Sequence, residues 1–163
     1  MQKLLIAGVG NVLHGDDGFG VEAARRLAQR EDLPPESKVM ETGIGGMSLI
    51  QELMQGYDAL LVLDAYRREG GTPGQLYMLE PILPDLSHLG AHELRDYFAD
   101  THYATPMRAL SFAAHTGHLP GVVRILGCEP ETAEELTFGL SPPVAAAVDV
   151  ALYMAMDWIK SQG

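Results

Sequence analysis

Leu4-Leu5-Ile6-Ala7-Gly8-Val9-Gly10-Asn11-Val12-Leu13-His14-Gly15-Asp16-Asp17-Gly18-Phe19-Gly20 joins an apolar run to a glycine-rich loop and then to a helix. An apolar run this short, stopped by glycines, is what a strand covered on both faces of a parallel sheet requires. Beyond the loop, Val21, Ala24, Leu27 and Ala28 recur at helical spacing opposite Glu22 and the Arg25-Arg26 pair, which predicts a helix from Phe19 to Arg30.

The loop looks at first like a dinucleotide fingerprint, but the third glycine of GxGxxG would have to stand where Leu13 is, and no Gly-Lys pair of a P-loop is present. Paired aspartates ahead of a helix would repel a pyrophosphate, whereas a helix N-terminus stabilises carboxylates. A cation suits this loop better than an anion. Asp16 and Asp17 also have a plain structural reading, in which one caps the helix and the other is a solvated turn residue.

Working outward, Leu33-Pro34-Pro35 ends the first helix, Lys38–Glu41 reads as a short strand, and Thr42-Gly43-Ile44-Gly45-Gly46 leads into a helix carrying Met47, Leu49, Ile50 and Leu53. Ala59–Leu63 is the most apolar strand and ends at Asp64, and Gln75–Leu79 after a Thr72-Pro73-Gly74 turn reads as an additional edge strand. Pro81–Asp100, rich in Pro, His and acidic residues, reads as a long loop with one helical turn. Met107, Leu110, Ser111 and Ala114 give a helical face, and Val122–Leu126 a further buried strand. Ser141-Pro142 reads as an N-cap and first-turn proline opening a long helix faced by Val144, Val148, Leu152, Met156 and Ile159. This alternation predicts a three-layer α/β sandwich, a mainly parallel twisted sheet with helices on both faces, in a single domain spanning 1–163.

Composition narrows the function. The 163 residues carry 22 acidic and 11 basic side chains, a formal charge of -11, with no clustered basic patch, so neither nucleic acid nor an anionic membrane is an expected partner. Cys128 is the only cysteine, which rules out an intrachain disulfide and a cysteine-rich metal site. Its place in a buried run marks it as a small core residue, and no GxSxG elbow is present. Met1–Val9 enters the first strand without a basic leader, and no apolar run is long enough to span a bilayer, which together point to a protein that stays soluble and unprocessed, while the lone cysteine suits a reducing cytoplasm.

Parallel α/β sheets bind ligands beyond the carboxyl ends of their strands. Asp64, closing its strand, and the loop carrying Asp17 meet at that edge, although a strand-ending aspartate can also serve only to cap a turn. Of the six histidines, His102 is the one whose position ahead of the next helix directs it to the same edge. Asp17, Asp64 and His102 would suit nickel or zinc, with positions left open for water or a partner's ligands. The same three residues could equally activate water without a resident metal.

These residues form part of a longer pattern. Gly8-Val9-Gly10-Asn11 with Gly15-Asp16-Asp17-Gly18-Phe19-Gly20 resembles the opening signature of the hydrogenase maturation endopeptidases. Thr42-Gly43 with Gly46-Met47, Leu63-Asp64-Ala65, Thr101-His102, Gly127-Cys128-Glu129-Pro130-Glu131 and Gly139-Leu140-Ser141-Pro142 are similar to later family segments, in order and along nearly the whole chain. The resemblance implies a cytoplasmic endopeptidase that removes the C-terminal extension of a nickel-loaded NiFe-hydrogenase large-subunit precursor. It implies that Asp17, Asp64 and His102 contact nickel supplied by the substrate, with zinc or another divalent ion as a surrogate. It also implies that Gly43, Gly45 and Gly46 let the backbone approach the peptide. Relatives carry Glu or Asp at the position of Asp17. His92, ten residues upstream of His102, is the alternative histidine, and His14 lies outside the pattern. A non-catalytic nickel-binding chaperone module for hydrogenase assembly is the alternative function.

Overall fold

The computed structural model describes residues 1–43, 46–99, 106–131 and 136–163. Strands β1 (Leu4–Val9), β2 (Ser37–Thr42), β3 (Ala59–Ala65), β4 (Leu76–Leu79) and β5 (Val122–Cys128) form one sheet in the order β2-β1-β3-β5-β4. β1 pairs in parallel with β2 and β3, and β3 with β5, while β4 runs antiparallel at the edge. The helices are α1 (Phe19–Ala28), α2 (Met47–Leu53), α3 (Ala91–Ala99), α4 (Pro106–His115) and α5 (Pro142–Gln162). The sandwich and its mainly parallel sheet are as the alternation predicts.

Side chains alternate across a strand, and here the alternation divides two cores. Leu4, Ile6, Ala59, Leu61, Leu63, Leu126 and Cys128 pack with α1 and α5. Leu5, Ala7, Val9, Leu60, Val62, Val123 and Ile125 pack with α2 and α4. Every residue of β1 is buried, as a strand with helices on both sides must be. Asp64 has the parity of Leu60 and Val62, which places it at the head of the α2/α4 face.

Several expectations need correction. Pro81–Asp100 contains a nine-residue helix, α3, rather than a single turn. That helix buries none of its residues, so it leaves little apolar periodicity to read; Phe98 rests edge-on against Phe112 of α4, with ring centroids 5.0 Å apart. On α4 it is Ala113 that is buried, while Ala114 is exposed. Helix α1 ends at Ala28, two residues earlier than expected, and β2 is one residue longer at each end than Lys38–Glu41. Among the described residues no helix is long and apolar enough to cross a membrane.

Candidate active site

The β1–α1 loop turns through a 3-10 segment, Gly15–Gly18, before α1 begins. That tight turn sends the adjacent aspartates to different partners. Asp16 is fully buried, and its carboxylate accepts the Glu131 N–H at 2.8 Å and both the N–H and the hydroxyl of Ser141 at 2.7 Å. Asp17 is half-buried, and its Oδ2 accepts the Asn11 N–H at 2.9 Å. Neither aspartate caps α1, whose N-cap is Gly18 with no side-chain cap bond. Ser141 likewise gives its hydroxyl to Asp16 instead of capping α5.

Asp16 is therefore a joint. It ties the loop that carries Asp17 to the start of α5, and backbone bonds reinforce the tie: Gly15 N–H donates to Thr137 O at 2.8 Å, and Thr137 N–H to Leu13 O at 3.0 Å. The backbone of His14 pairs with that of Thr137 in the same contact.

Asp64 closes β3 at the carboxyl edge, beside the Asp17 loop. Burial first, and then the negative charge of Asp17, push its carboxyl from the ordinary 3.8 up to about 8, with the Ala65 N–H offsetting part of the rise. A carboxyl raised this far is mainly protonated at neutral pH, and a cation beside it would favour its charged form. Among the described residues, neither Asp17 nor Asp64 forms an ion pair with Lys or Arg.

Of the other candidates, His102 and Gly45 lie outside the described residues. His92 is in the first turn of α3, where its ring engages Arg95 at 2.9 Å and Asp96 at 3.5 Å on the same helix. Gly43 is exposed, and a β-carbon built there would meet nothing within 4 Å. Gly46 has φ +62 at the head of α2, and a β-carbon there would stand 2.9 Å from that of Ala109. Gly46 therefore lies against the start of α4.

Cys128 is fully buried, and burial, then the charges of Asp16 and Glu129, push its thiol up to about 12, so it is a core residue and no nucleophile. Glu129, which sequence reasoning did not single out, is buried and accepts the Arg68 N–H at 2.9 Å and the Tyr77 hydroxyl at 3.1 Å. It fastens the β3–β4 connection to the end of β5. Only its place among the family segments hinted at it.

The hydrogenase maturation protease family model matches residues 21–158. The chain belongs to this family. It is 31% identical over 162 residues to the hydrogenase expression/formation protein HoxM of Azotobacter vinelandii, covering 99% of this chain and 74% of the relative. To the hydrogenase 2 maturation protease of Escherichia coli (strain K12) it is 30% identical over 164 residues, covering 99% of this chain and 93% of the relative. Among solved structures, the hydrogenase maturating endopeptidase HybD from E. coli is similar with a TM-score of 0.77 at 28% identity, covering 100% of this chain and 94% of that one. As a hydrogenase maturation protease, the protein has its chemistry in peptide hydrolysis.

Proposed function

We propose that this protein is the endopeptidase that removes the C-terminal extension of a nickel-loaded NiFe-hydrogenase large-subunit precursor, acting in the cytoplasm. The observation that carries the reading is the Asp17–Asp64 pair: two carboxylates at the carboxyl edge, with Asp64 pushed up to about 8 by burial and then by the charge of Asp17, in a member of this protease family. Such a pair is satisfied by a divalent cation, and a precursor brings one when it carries nickel. Asp17, Asp64 and His102 contact that nickel as part of the substrate and set the scissile bond beside it. Oxygen and nitrogen donors suit nickel, with zinc a chemical surrogate. Asp64 gives up its proton as the cation docks, so recognition of the loaded precursor is coupled to proton release. Gly43, where a β-carbon would meet nothing within 4 Å, leaves room for the peptide main chain, and Gly45 and Gly46 are assigned to the same backbone approach.

The test is incubation of the purified protein with its nickel-loaded precursor, following loss of the tail by mass spectrometry for wild type and for Asp17→Ala, Asp64→Ala and His102→Ala. Cleavage by wild type that disappears in the folded variants supports the reading. Nickel binding without any cleavage would favour a chaperone module, and cleavage surviving only in His102→Ala would transfer the histidine's role to His92.

A further inference from the structure

An open groove of about 480 Å³ lies between α1, the β1–α1 loop and the end of edge strand β2. One wall is Gly10, Asn11, Val12 and Leu13, Val21 of α1 contributes an apolar surface, and Gly43 borders the other side. Arg25 and Glu41 also border it, but they are locked to each other by bonds of 2.9 and 3.1 Å, so the groove presents no free charge from them.

The groove adjoins Asp17 through its wall residues. Asn11, in its wall, donates its backbone N–H to the Asp17 carboxylate. A β-carbon on Gly10, which has φ +143, would overlap the Asp17 carbonyl oxygen at 1.9 Å. Strand pairing between β1 and β2 ends at Val9 and Thr42, so Gly10 and Gly43 run just past the last paired residues and present main chain without side chains.

The apolar wall is held in place while facing solvent. Val12 is 38% and Leu13 43% exposed. Leu13 is nonetheless fixed, its N–H on Asn11 Oδ1 at 3.0 Å and its carbonyl accepting the Thr137 N–H at 3.0 Å. Exposed apolar side chains on a fixed backbone beside a catalytic edge mark a binding surface.

We propose that this groove is the subsite for an extended, uncharged apolar stretch of the precursor next to the scissile bond, a proposal that depends on the function given above. It is open to solvent rather than an enclosed cavity, so it can admit a chain. Its apolar lining and neutralised ion pair favour apolar side chains, and the net charge of -11 disfavours anionic ligands. Its glycine borders let a peptide main chain come close.

The test uses the full chain and the nickel-loaded precursor with Val12→Asn, Leu13→Asn and the double variant, all at exposed positions, with folding checked by thermal unfolding. The expected result is a rise in KM of about tenfold or more for the double variant with little change in kcat, as loss of uniform substrate binding gives. A photo-cross-linking residue at position 13 is expected to label a peptide flanking the cut. Unchanged KM in the double variant, or cross-links confined to a second copy of this chain or to parts of the precursor remote from the cut, would overturn the subsite while leaving the protease intact. A wild-type protein that does not cleave would remove the function and the subsite together.

Discussion

A β-carbon built on Gly20 would stand 2.0 Å from the carbonyl oxygen of Leu63. The first turn of α1 thus lies directly on the backbone of β3, and Gly8 of β1 makes the matching approach, its own β-carbon falling 2.2 Å from the Gly20 carbonyl oxygen. Asp17 is three residues before Gly20 and Asp64 is one after Leu63, so this glycine contact sets how near the two carboxylates come. Gly20→Ala meets backbone on both sides, where nothing can rotate away. It is expected to destabilise the protein by about 3 kcal/mol, read by urea unfolding, and to lower cleavage even where the protein remains folded.

The neighbouring aspartates should separate stability from activity. Asp16→Ala leaves the Ser141 and Glu131 donors without their acceptor and is expected to cost about 3 kcal/mol. Asp17→Asn keeps an acceptor for the Asn11 N–H and should stay within about 1 kcal/mol of wild type while abolishing cleavage. Equal destabilisation by the two changes, from parallel denaturation curves, would speak against the division of labour.

Which parts of this arrangement are visible in the sequence follows from where their causes lie. β1 and most of β3 are continuous apolar runs because helices cover both faces, and that burial writes itself into consecutive residues; β5 shows the same signal interrupted by Arg124. Asp17 and Asp64 are legible because a parallel sheet brings all its carboxyl ends to one edge, whatever the packing details. The role of Asp16 is not legible: its partners lie 115 and 125 residues further along the chain, and no local pattern announces them. Helix α3 escapes notice for the opposite reason, since it buries nothing. The groove beside Asp17 combines three elements and has no motif at all.

Asp64 should also leave a signature in the pH dependence of folding. Its carboxyl is raised from 3.8 to about 8 in the folded protein, so between those values the native state holds a proton the unfolded chain has released. Stability from this group is therefore complete below the unfolded value, falls as pH rises through the window, and levels off above about pH 8. Asp64→Asn removes the dependence. Denaturation curves at about pH 5 and about pH 9 should show wild type losing stability relative to Asp64→Asn at the higher pH, and a constant difference would contradict a carboxyl raised to about 8.

Glu129 fastens the β3–β4 connection through Arg68 and Tyr77, and Gly71 passes so close that a β-carbon there would lie 2.4 Å from the carboxyl carbon. Glu129→Ala is expected to cost about 2 kcal/mol and to speed hydrogen exchange at the Arg68 amide well before the core amides of β3. Exchange at Arg68 that stays as slow as in wild type would show that the connection is held by something else.

The most direct measurement of the central claim compares one precursor in two states, nickel-loaded and nickel-free, cut by wild type and by Asp17→Asn and Asp64→Asn. Wild type is expected to remove the tail from the loaded precursor alone, and both variants, though folded, to remove it from neither. Equal cutting of the nickel-free precursor, or full activity in either variant, would contradict a site in which Asp17 and Asp64 read the substrate's nickel.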